Sequence, residues 1–140
     1  MSTLIFVWTC TVLALVVVVL TRVRLHDRPA GGQRPVNRLT LAAHSGVGLL
    51  AVLLWVVFIL APDDSWAGGA LFGIVAIGAW WLTAAFGLAL LSRWRPARGR
   101  HSGDSADEAP IGAFALSVAG HVGLLLVVVW FTWLYLVSAV

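Results

Sequence analysis

The sequence predicts an all-α polytopic membrane protein: four transmembrane helices, built as two repeated helical hairpins, with both termini outside. Three observations carry this expectation. Of 140 residues, 61% are hydrophobic and only 11% charged, against about a quarter charged in soluble domains. The charges are segregated, so that four long runs contain no Asp, Glu, Lys or Arg at all. A short histidine-bearing stretch also occurs twice, once in the second apolar run and once in the fourth.

A span needs about 20 predominantly apolar residues. The runs that meet this are Leu4–Leu20, Leu39–Ala61, Gly68–Leu91 and Gly112–Val137. The first lacks the basic flank of a secretory signal, and its arginines follow the apolar stretch instead of preceding it. It therefore reads as a retained helix. Residues 1–61 form the first hairpin and 68–140 the second, with connections over 21–38 and 92–111. Gly and Pro in Pro29-Ala30-Gly31-Gly32, and the polar stretch Gly99–Ala109, mark those connections as loops.

All nine basic residues are arginines. Arg22, Arg24, Arg28, Arg34 and Arg38 fall in the first connection, and Arg93, Arg95, Arg98 and Arg100 in the third. The short middle connection carries Asp63 and Asp64 and no base. The positive-inside bias puts the arginine-rich loops in the cytoplasm. Topology thus explains the net charge of +3 and the pI near 10.5 better than a nucleic-acid partner does. The single Cys10 excludes an intrachain disulfide and reads as a packing residue. Trp8, Trp55, Trp66, Trp130, Trp133 and Tyr135 fall toward the outer side and Trp94 at the inner edge, as interfacial anchors would. Trp80 and Trp81 sit deeper, against a cofactor or lipid. Gly69 and Gly73 form a GxxxG that permits close helix approach.

The repeated stretch is Leu39-Thr40-Leu41-Ala42-Ala43-His44-Ser45-Gly46, echoed by Leu116-Ser117-Val118-Ala119-Gly120-His121-Val122-Gly123. A second echo lies upstream, Leu20-Thr21-Arg22-Val23-Arg24 against Leu91-Ser92-Arg93-Trp94-Arg95. An intramembrane ionisable residue is a functional hypothesis by default. His44 lies roughly 9 Å of helix beyond Arg38 at about 1.5 Å per residue. Both histidines stand at matched distances from the outer ends of their spans. The repeat implies parallel second and fourth helices, which would bring the two rings face to face.

Thr40 and Ser117 each precede a histidine by one turn and share its helix face. Either hydroxyl, or a backbone carbonyl one turn back, could take the second ring N–H and fix the tautomer. Gly48 and Gly120, with Ala43, Gly46, Ala119 and Gly123, leave room for a flat macrocycle or for tight helix packing. Two neutral imidazoles on opposite sides of one iron are what a b-type haem needs. Arg22, Arg38 and Arg93, with Asn37 behind them, are the partners available to its propionates. His26 and His101 lie in the arginine-rich loops and read as solvated. A zinc or copper site would recruit a third ligand, and none occurs at that depth.

With four spans and histidines on the second and fourth, in Ala-Ala-His44-Ser-Gly and Ala-Gly-His121-Val-Gly, the chain resembles the four-helix membrane cytochromes b. These comprise the cytochrome b561 type and the haem-bearing membrane anchors of respiratory dehydrogenases. The resemblance implies a bis-histidine haem b on His44 and His121, serving electron transfer with a quinone or a partner redox protein. Many relatives carry four such histidines and two stacked haems. This chain has two, so one haem is implied, near the inner face.

No carboxylate pair, Ser/His/Asp order, CxxC or phosphate-binding glycine loop is present, and the connections are too short for a catalytic domain. A substrate-oxidising activity would need a partner chain. The competing expectation is a non-catalytic accessory or assembly subunit of a larger, possibly respiratory, complex, its histidines only bonding across helices. Either protein would reside in a bilayer, the plasma membrane of a bacterium, with partner membrane subunits or further copies of itself. A small transporter would rest on the two histidines alone, because no span has an internal Pro or an acidic coupling residue.

Overall fold

The computed structural model describes residues 2–26, 38–91 and 111–140. Four helices account for nearly all of them: α1 (Ser2–His26), α2 (Arg38–Leu60), α3 (Ala70–Leu91) and α4 (Ile111–Leu136). No strand occurs among the described residues. All four helices are long and apolar enough to cross a membrane.

The helix ends lie within two residues of the boundaries that the apolar runs predict, except at the end of α1. α1 continues through Arg22 and Arg24 to His26, beyond the last residue of its apolar run. Arg and Leu are good helix formers, and arginines can keep their heads in the interface while their stems lie along the helix. α3 begins at Ala70, because Gly68 and Gly69 belong to the preceding turn. There Ser65 bonds back to the Pro62 carbonyl through both its N–H (2.9 Å) and its hydroxyl (2.6 Å). Its hydroxyl in turn accepts the N–H of Gly68 at 3.1 Å. A Cβ at Gly68 would collide with the Pro62 carbonyl, so glycine is what lets the turn close.

Neighbours in the bundle are α1 with α2 and α4, and α3 with α2 and α4. α2 and α4 therefore lie across a diagonal. Ring contacts between them pair His44 with His121, Trp55 with Phe131 and Phe58 with Tyr135, so the two run parallel. α3 runs opposite to both, since Gly73 faces Phe58 and Tyr135 while Gly87 faces His44 and His121. α1 also runs opposite to α4, with Phe6 against Trp130 and Val17 against Gly120. The result is an up-down-up-down bundle.

Its seam is a heptad pattern that composition hides, because the lipid-facing positions are apolar too. On α2 the buried residues are Leu41, His44, Gly48, Ala51, Trp55 and Phe58, alternating steps of three and four as knobs-into-holes packing requires. On α4 the buried series is His121, Leu124, Val128, Phe131 and Leu134. The α2–α3 interface is the most extensive. Small residues explain this: Ala76 and Gly73 on α3, with Gly48 and Ala51 on α2, let the backbones approach closely. Leu53, Leu60, Leu71, Leu82, Leu126 and Leu136 point outward and are exposed. So large an apolar exterior fits lipid as its solvent.

The aromatic residues divide differently from the expectation of outer anchors. Trp66, Trp130 and Trp133 are exposed. Trp55 is fully buried instead, stacked on Phe131 with centroids 4.6 Å apart. Trp80 is fully buried as well, edge-on to Phe131. Trp55 falls on the seam, where burying a large ring gains more than anchoring at the interface. Trp81, one residue round the helix, is exposed, and its indole N–H donates to the Thr132 hydroxyl at 3.1 Å. Cys10 is buried in the core. At the far end α4 closes with Ala139 N–H on the Leu134 carbonyl and Ser138 N–H on that of Tyr135. Ser138 takes a positive φ of 52° there, as this C-terminal motif demands.

Candidate functional site

Both histidines sit on the seam, His44 with 0% of its surface exposed and His121 with 6%. Because α2 and α4 are parallel and diagonal, their side chains meet on the bundle axis at one level. The ring centroids are 5.9 Å apart and the planes are inclined by 33°. The structure thus brings together the two residues that the sequence repeat singled out.

Backbone carbonyls fix the protonation of each ring. Nδ1 of His44 lies 3.1 Å from the carbonyl oxygen of Thr83, and Nδ1 of His121 lies 2.7 Å from that of Ser117. A carbonyl can only accept, so Nδ1 carries the proton in both rings. In the neutral imidazole, Nε2 is then left with a bare lone pair. Both Nε2 atoms are buried and have no hydrogen-bond partner. A buried polar atom left unpaired costs about 1–3 kcal/mol, so two such acceptors on one axis call for an explanation.

Gly87 on α3 closes the site from the side. A Cβ at this position would lie 2.7 Å from Cδ2 of His121, 3.5 Å from its Nε2 and 3.3 Å from Cε1 of His44. Any side chain at 87 would occupy the space beside both rings. Thr83, one turn earlier on the same face, supplies the carbonyl for His44, while its own hydroxyl donates to the Ala79 carbonyl at 2.8 Å.

The remaining residues expected at the site are placed as follows. Ser117 contributes its carbonyl, not its hydroxyl. Thr40 is half-buried one turn before His44, but the Nδ1 proton goes to Thr83 on a different helix. At Gly48 the nearest neighbours are not the rings; a Cβ there would lie 2.8 and 2.9 Å from the Val18 methyls and 3.2 Å from Thr83. It is the point where α1 and α3 close on α2. Gly120 is in ordinary contact range of Val17. Arg22 and Arg38 are exposed at the end of the bundle nearer the histidines. Arg93, Asn37 and His101 lie outside the described residues.

Sequence reasoning missed Thr83 and Gly87. Their signal was present: Thr83 is the only hydroxyl in the α3 run, and Gly87 follows it by one turn. Neither carries the histidine motif, however, and only the packing shows which glycine of a glycine-rich chain faces the rings.

The donor set is two imidazole lone pairs. No group of three or more His, Cys, Asp or Glu that could hold a metal occurs among the described residues. Tetrahedral zinc sites use more ligands than this, whereas the axial pair of a haem uses two. The rings are close neighbours, with centroids 5.9 Å apart. In number and type, two buried imidazole nitrogens without partners match the pair of histidine donors that a haem would take.

Compared with known proteins, no family model, no curated protein and no solved structure matches this chain at a significant level.

Proposed function

We propose that this chain is a small membrane cytochrome b subunit in which His44 and His121 hold one haem b as axial ligands. The observation that carries the reading is the pair of buried, unpartnered Nε2 atoms on rings 5.9 Å apart. The tautomers support it, since a ligating histidine almost always donates its other N–H to a carbonyl, carboxylate or water. The Thr83 and Ser117 carbonyls perform that service here and leave both Nε2 lone pairs unused. Gly87, having no side chain, lets α3 pack directly beside both rings. Arg22 and Arg38 lie at the end of the bundle where propionates would need cationic partners, with Arg93 joining them in the same reading.

When bound, the haem would supply reversible one-electron exchange, with a quinone or a partner redox protein at the other end. The chain's own part is to orient two imidazoles, to exclude water from them and to keep both Nε2 atoms deprotonated. In this reading the protein lies in a bacterial plasma membrane with both termini outside and works beside partner subunits or further copies of itself.

Purification after haem-replete expression tests the proposal. Chemical reduction should give the sharp absorbance bands of a low-spin b haem, and His44→Ala with His121→Ala should abolish them. No pigment in the wild type, or bands that survive the double substitution, would refute it.

One observation favours a second reading. The His44–Thr83 bond joins α2 to α3, as an accessory subunit with purely structural histidines would use it. His44→Gln and His121→Gln should preserve assembly under that reading and empty the site under the first.

A further inference from the structure

We infer that α3 controls whether His44 can serve as a donor through Nε2, whereas His121 keeps that ability independently of its neighbours. The two Nδ1 protons are held in different ways. His121 gives its proton to the carbonyl of Ser117, four residues earlier on its own helix, at 2.7 Å. Both ends of that bond move with α4, so a rigid shift of one helix against another leaves it intact. His44 gives its proton to the carbonyl of Thr83 on α3, 39 residues away in the chain, at 3.1 Å. That bond crosses a helix interface and lasts only while α2 and α3 keep their register.

The margin is small. An N–H···O bond normally spans about 2.7–3.2 Å, and at about 3.6 Å it no longer counts as one. A slide of about 1 Å therefore carries the carbonyl out of reach, and helix shifts of about 1–2 Å occur at switching interfaces. His44 is fully buried, and a bundle in lipid has no bulk water to replace the lost acceptor. Nothing then holds the single proton of the neutral imidazole at Nδ1. Its transfer to Nε2 leaves the ring neutral and takes up the lone pair that a metal would need.

Two glycines set the register. Gly87 brings the α3 main chain against both rings, and Gly48 admits Thr83 against α2. The α2–α3 interface is the most extensive in the bundle, so the undisturbed protein keeps the bond. Thr83 is thus a positioning residue for His44, acting through its main chain. In the haem site, α3 would decide ligation at His44 alone. That consequence rests on the proposed function, while the difference between the two rings does not.

Solid-state NMR of the haem-free protein in lipid bilayers, labelled with 15N in its histidines, reads which ring nitrogen carries the proton. His26→Asn and His101→Asn remove the other two signals, and His44→Gln assigns the remaining pair. Both rings should be protonated at Nδ1 in this background. Gly87→Ala gives the sharpest contrast, because the added methyl falls closer to His121 than to His44. The displacement of α3 should nonetheless pass most of the His44 signal to the Nε2-protonated form and leave His121 unchanged. An ester in place of the Thr83–Ala84 amide is the milder perturbation. It weakens the Thr83 carbonyl as an acceptor, alters no side chain, and should likewise act on His44 alone. Intact Nδ1 protonation of His44 in both proteins, or a loss at His121 instead, would overturn the inference. Absence of haem from the wild type would refute the proposed function and leave these signals as they are.

Discussion

The carbonyl of Thr83 on α3 accepts the Nδ1 proton of His44 on α2 across 3.1 Å. Helical carbonyls usually serve only their own ladder, and this one is reached from a neighbouring helix. The residue one turn on is Gly87, and a Cβ there would lie 3.3 Å from Cε1 of His44. The missing side chain admits the ring, and the ring's proton then faces the carbonyl.

Gly87 should accordingly be the position most sensitive to added bulk. Gly87→Ala places a methyl 2.7 Å from Cδ2 of His121, a ring tethered by its 2.7 Å bond to Ser117 and with little freedom to move aside. Under the proposed haem reading, several-fold less haem per polypeptide is expected, and Gly87→Leu should give none. Helical content by circular dichroism should remain, since alanine and leucine are good helix formers. A haemochrome assay beside the dichroism spectrum checks both.

Two nearby glycines of α2 should respond in opposite ways. Gly48→Ala drives a methyl against Val18 and Thr83, and overpacking of this kind costs about 1–3 kcal/mol. Gly46→Ala meets nothing within 4 Å, so helix propensity alone should make it neutral or stabilising by up to about 1 kcal/mol. Thermal or denaturant unfolding in detergent should separate the two variants.

Among the tryptophans, Trp55→Ala should be far more damaging than Trp66→Ala. Trp55 fills the core against Phe58 and Phe131, and truncating a buried aromatic of this size costs about 3–5 kcal/mol. Trp66 is 81% exposed and touches Phe72 edge-on, so its loss should leave the melting temperature nearly unchanged.

The arginine distribution predicts orientation. A periplasm-active phosphatase fused after Val140 should be active, and one inserted at residue 102 inactive. Moving arginines from the first and third connections into Pro62–Ala67 should weaken or invert this pattern.

Composition and charge segregation were enough to specify four spans, their approximate limits and their alternation. Each rests on local chemistry: apolar length, the cost of charge in lipid, and Gly and Pro at turns. The duplicated stretch also revealed His44 and His121 as a matched pair at one depth. Which face of each helix turns inward was not legible, because lipid and protein interior are equally apolar. That is why Trp55 looked like an anchor, and why the partner of His44 was sought at Thr40 on its own helix. Tertiary packing alone decided that Thr83 and Gly87 border the rings, that both Nε2 atoms are left bare, and that two indoles lie buried without acceptors. Such contacts join residues distant in the chain, and they depend on the rotation of each helix about its axis, which a one-dimensional apolar pattern does not encode.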